Sequence, residues 1–118
     1  MDKEMIRNNI NFLKDYIPKL TAGIEMEVDL LIQNKETLAF DLFQNIAEGL
    51  EWTIRSISGL ENLGYINDLK IDEMNKVLRE VEGSFQKKDF VLLADLLEYE
   101  VAEILVNWQE KLKSIDGV

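Results

Sequence analysis

Three pairs of carboxylates are the residues in this chain whose type and spacing could do chemistry: Glu48 with Glu51, Asp95 with Glu98, and Glu100 with Glu103. Members of each pair stand three positions apart, a spacing that brings two side chains to one side of an α-helix. Hard cations such as magnesium are held by oxygens of this kind. Such pairs could therefore supply ligands to a cation of that kind. The rest of the usual chemistry is missing. The chain has no cysteine and no histidine, which removes thiolates, cysteine metal sites, the commonest neutral-pH base and the commonest transition-metal ligand. A di-iron bundle with Glu-x-x-His elements is excluded with them. No basic cluster stands ready for phosphates, and Glu48 projects away from the apolar stripe of its own segment. The pairs therefore read as solvated charges on an acidic surface. The expectation is a protein that is not an enzyme, with no catalytic residue, no metal site and no cofactor.

The elements that would carry these pairs are helices. At 118 residues and 47% apolar content the chain is expected to form one domain over residues 1–118 around a single core. Twenty-three acidic against thirteen basic side chains give a net charge of -10, which phosphate backbones and anionic lipids would repel. The expected partner is another protein or a second copy, with no nucleic acid and no membrane. The N-terminal MDKEMIRNN lacks the apolar core of a signal peptide, and no later run approaches the roughly 20 apolar residues of a membrane span. A cytoplasmic location is expected.

Four segments repeat apolar residues every three or four positions, and no strand alternation is present. Ile6, Ile10, Leu13, Ile17, Leu20, Ile24, Val28 and Leu31 stay in phase across Pro18. That predicts either one kinked helix or a short helix followed by a longer one. A polar turn follows, with Asn34 expected to cap the second helix, whose stripe is Ala39, Phe43, Ile46, Leu50, Ile54 and Ile57 and whose natural stop is Gly64. Asn67 or Asp68 is expected to cap a shorter third helix bearing Ile71, Met74, Leu78, Val81 and Phe85. Asp89 then caps the most apolar helix, striped by Leu93, Leu97, Val101, Ile104, Trp108, Leu112 and Ile115. Short turns make neighbours antiparallel, so the predicted fold is an all-α, up-down-up-down four-helix bundle, kinked or broken at Pro18.

Some apolar residues fall outside these stripes and are the candidates for partner binding. Trp52 lies off the second stripe in a row with Leu38, Asn45 and Gly49, where the missing side chain at Gly49 leaves a shelf for the indole. Leu92, Leu96 and Tyr99 form a second row on the last helix, more apolar surface than two bundle neighbours usually cover. Met5, Phe12, Tyr16 and Leu30 make a comparable row on the first helix. Such rows either cover one another or meet another molecule.

Three phrases, DYIPKLTAGIE, AEGLEW and KKDFVLLADLLEYEV, taken together resemble a family of small acidic helical proteins of unknown function from Gram-positive, mainly clostridial, bacteria. The resemblance runs from about Asp15 to Trp108 and implies a bacterial cytosolic protein; it assigns no active residue. In size and architecture the chain is also similar to the flagellar export chaperones, which clamp an amphipathic segment of another protein. A non-enzymatic interaction or chaperone-like module is the function these observations favour. The alternative is an enzyme similar to the all-α, magnesium-dependent nucleotide pyrophosphohydrolases, using Glu48 and Glu51 with Asp95 and Glu98, although the acidic pattern of those enzymes is denser.

Overall fold

A computed structural model describes residues 3–115, and every regular element among them is helical. The order is α1 (Lys3–Ile32), α2 (Glu36–Asn62), α3 (Ile71–Gln86), and a last helix in three stretches: α4 (Phe90–Asp95), a π-helical segment (Leu96–Val101) and α5 (Ala102–Lys113). Helical backbone angles at both junctions make these stretches one rod. The molecule measures 46 × 23 × 20 Å, so α1, 30 residues at about 1.5 Å each, spans its full length. α1 continues through Pro18 as a single helix, which removes the broken-helix alternative. Among the described residues, no helix is long and apolar enough to cross a membrane.

Three helices end in the same way, and this decides where the turns fall. Lys35 N–H donates to Leu30 and Asn34 N–H to Leu31; Tyr65 and Gly64 repeat the pattern on Leu60 and Glu61, as do Asp89 and Lys88 on Ser84 and Phe85. These are paired closures that satisfy the last free carbonyls through a residue in the left-handed conformation. Asn34, Gly64 and Lys88 are those residues, at φ 58°, 84° and 57°. Gly64 stops α2 as its type predicts. Asn34 does not cap α2: it closes α1, and Lys35 precedes α2 without a side-chain cap. Asn67 and Asp68 likewise leave α3 uncapped, its first turn being preceded by Lys70 in the left-handed conformation. Asp89 does act as the expected cap, accepting from Leu92 N–H at 3.1 Å.

The core is built largely from the expected stripes, but α3 buries Met74, Val77, Val81 and Ser84, so that Leu78 and Phe85, like Ile54, Ile71 and Ile115, are only partly buried at the core's edge. α1 lies at its centre, packed against α2 on one side and the last helix on the other. α3 packs on the last helix; α2 and α3 meet where Phe43 and Phe40 of α2 reach Phe85, and Phe40 reaches Phe90. At the far end the connection between α2 and α3 is a plug. Ile66 and Leu69 are buried, the Trp108 indole N–H donates to the Leu69 carbonyl, and Lys111 donates to the carbonyls of Asn67 and Asp68.

The π-helical segment explains how the last helix keeps its face. Leu93, Leu97, Val101 and Leu105 are all fully buried, yet four-residue steps drift about 40° each on a straight α-helix. Wider turns, in which Ala102 N–H reaches the Leu97 carbonyl five residues back, take up that drift.

Candidate interaction surface

α1 presents Asn9, Phe12 and Tyr16 in steps of three and four; α2 presents Gly49, Trp52, Ser56 and Gly59 in the same rhythm, which Leu63 continues just past its end. Such spacings line one side of a helix, and the packing of α1 on α2 sets the rows against each other. Phe12 stacks on Tyr16 with centroids 5.8 Å apart, and the edge-to-face contacts of Trp52 with Phe12 and Tyr16 are at 5.1 and 5.6 Å. These are the favourable arrangements for ring quadrupoles. The cluster is not core. Phe12 is 54% exposed, Trp52 is half-buried, and Leu63 farther along the seam is 51% exposed. Beside Trp52 a groove of about 390 Å³ runs between Asn9 and the Arg55–Leu63 stretch, with Gly59 on its wall.

Gly49 sets this geometry, but for a different ring from the one expected. A Cβ there would lie 2.2 Å from the Tyr16 hydroxyl and 3.2 Å from Leu20, so it is Tyr16, not the Trp52 indole, that lies against the bare backbone. Trp52 is thereby held outward against Phe12. The Thr53 hydroxyl donates to the Gly49 carbonyl at 2.7 Å and fixes that turn of α2.

The second candidate row divides. Leu92 and Tyr99 are exposed, the latter at 63%, whereas Leu96 is 7% exposed and belongs to the core. The π-helical segment that starts at Leu96 brings it inward beside Leu97. Leu92, Tyr99 and the neighbouring Val91 remain exposed apolar side chains.

The carboxylate pairs do not converge on one point. Glu48, Glu51, Asp95 and Glu98 are all exposed, on helices that are not extensively packed on each other. Glu100 and Glu103 do line a cleft of about 400 Å³ between α3 and the last helix, with Glu73, Glu80, Lys70 and Lys76 on its walls. Among the described residues, no three acidic side chains are grouped so as to hold a metal ion.

One titratable residue was not singled out by its pattern. Glu27 is fully buried, and neither carboxylate oxygen has a hydrogen-bond partner. Burial disfavours the charged form and pushes its pKa up from 4.5 to about 7. Its position gave a signal: Glu27 stands three after Ile24 and four before Leu31, on the apolar stripe itself.

An acidic, all-helical chain with a surface seam of aromatic rings is thus the class that fold and site define. The chain belongs to the family described as a domain of unknown function (DUF8042), which matches residues 8–111 and so includes both rows of the seam from Asn9 to Leu63. No curated protein and no solved structure matches it.

Proposed function

We propose that this protein is a non-enzymatic interaction module, chaperone-like in the sense that it holds an apolar segment of a protein partner, and that the α1–α2 seam is the holding surface. The observation that carries this is the half-exposed Phe12–Tyr16–Trp52 cluster beside an open groove. Aromatic side chains of this kind dominate binding energy at interfaces, and a monomer gains nothing by leaving them wet. The exposed positions of Glu48, Glu51, Asp95 and Glu98 support the same reading, since charges in water are not tuned for catalysis. Leu92 and Tyr99 are secondary contact candidates. The reading includes an antiparallel up-down-up-down order with a kink at Pro18. Contact of the start of α2 with the end of α3 and the start of α4, through Phe40, Phe85 and Phe90, supports that order.

The test pairs two measurements on purified, full-length protein. Immobilised wild type should retain a protein from the host extract that Phe12→Glu loses and Glu48→Gln retains. Incubated with magnesium or manganese, it should not hydrolyse nucleoside triphosphates. Turnover that Glu48→Gln or Asp95→Asn abolishes would overturn the proposal in favour of a metal-dependent enzyme.

A further inference from the structure

We infer that the connected end of the α1–α2 hairpin is a joint, held shut while the Glu27 carboxyl is neutral and opened when that carboxyl loses its proton. Geometry carries the inference. Glu27 is fully buried, and neither of its oxygens has a hydrogen-bond partner. It stands in the row Tyr16, Leu20, Gly23, Glu27, in steps of four, three and four, along which α1 lies on α2. A Cβ at Gly49 would lie 3.2 Å from Leu20, and one at Gly23 would lie 3.9 Å from Ile46. Each turn forward on α1 thus meets a turn further back on α2, so Glu27 falls opposite the next one, at Leu42 and Phe43. Phe43 stacks on Phe85 at 4.3 Å, and Phe40 reaches Phe85 and Phe90. The turn that Glu27 faces is therefore also the one by which α2 holds the end of α3 and the start of the last helix.

No charge inside the joint compensates Glu27. Lys19, Glu25 and Asp29 of α1 are exposed, as are Lys35, Glu36 and Asp41 of α2, Glu82 and Lys87 around the end of α3, and Asp89, Asp95 and Glu98 of the last helix. Lys111 of α5 is held at the opposite end, on the carbonyls of Asn67 and Asp68. The other buried polar side chains among the described residues, Thr53 and Ser84, donate to carbonyls of their own helices. Burial without a partner disfavours the charged carboxylate and pushes the pKa up to about 7. An open joint returns the group to water, where it ionises at its ordinary value of 4.5. The ratio of open to closed joint therefore rises with pH from about 4.5 and levels off above about 7. Opening parts Phe43 from Phe85, while the far end stays shut on the Trp108 and Leu69 contact.

Hydrogen exchange of the full chain from pH 5 to pH 8, resolved by segment and divided by the intrinsic rate of each amide, tests this. In wild type, protection across residues 24–46 should fall about seventyfold between those pH values, while residues 102–112 of α5 keep theirs. Glu27→Gln, which is neutral at every pH, should hold residues 24–46 level across the range. Glu27→Leu provides a second neutral side chain and should do the same. Equal loss at both segments in wild type would make the carboxyl a control on the whole fold instead of on one joint, and overturns the inference. A wild-type profile at residues 24–46 that both neutral variants reproduce overturns it as well.

Discussion

Replacing Glu27 by Gln should markedly change how stability depends on pH. The wild-type carboxyl is fully buried with both oxygens unpartnered, and its pKa is pushed from 4.5 to about 7 in the folded protein. The folded state then holds the proton more tightly than the unfolded state. Stability from this group is fully present below about pH 4.5 and is lost as pH rises to about 7. At about 1.4 kcal/mol per pH unit, the loss across that window comes to about 3 kcal/mol. Urea denaturation from pH 5 to pH 8 would measure it. Acidification also relieves repulsion in a chain of net charge -10, but that relief acts on wild type and Glu27→Gln nearly alike. The difference between the two proteins isolates the residue: wild type should lose about 2.5 kcal/mol more than the variant between pH 5 and pH 8. Glu27→Leu should be the more stable protein at pH 8, since it removes both charge and unpaired oxygens. Parallel pH profiles for wild type and Glu27→Gln would refute the reasoning and place that carboxylate in water.

Other substitutions have separable outcomes. Leu105→Ala should cost about 2 to 5 kcal/mol, the range for a truncated core leucine, while exposed Val106→Ala should stay within about 0.5 kcal/mol; comparable losses would contradict the phase set by the π-helical segment. Gly49→Ala should keep the fold but expel the Tyr16 ring, read as a shift in Trp52 emission, because the added methyl occupies the hydroxyl's place; an unchanged spectrum would argue against that contact. Trp108→Phe should leave the buried Leu69 carbonyl unpaired at a cost of about 1 to 3 kcal/mol and accelerate hydrogen exchange across residues 66–70, and unchanged exchange there would mean the plug is held by other contacts.

The helices were legible in the sequence because each must bury one stripe, and stripes at three- and four-residue spacing survive any arrangement of neighbours. Leu93, Leu97, Val101, Ile104, Trp108 and Leu112 are all buried, as their spacing requires. What escaped depends on tertiary choices. Leu105 falls off a straight-helix stripe and is recovered by the π-helical turn, which also draws Leu96 inside. Ile66 and Leu69 sit in a connection without periodicity, and only the reach of Trp108 across 39 positions makes them core. Asn34 suits a helix start or a left-handed helix end equally well by type, and the closure on Leu30 and Leu31 decided for the end. At the seam, the sequence marked Trp52 and the bare backbone of Gly49 but not their separation, since which ring fills the shelf depends on where α1 places Tyr16.

The holding role of the seam is tested most directly by site-specific photo-crosslinking in the native host. A photoreactive phenylalanine analogue would replace Phe12 in one strain and Val91 in another, both being exposed apolar positions, at 54% and 77%. The account predicts discrete adducts to protein at position 12, absent when Gly59→Leu fills the neighbouring groove, and little or no adduct at position 91. Adducts at position 91 with none at position 12 would contradict it.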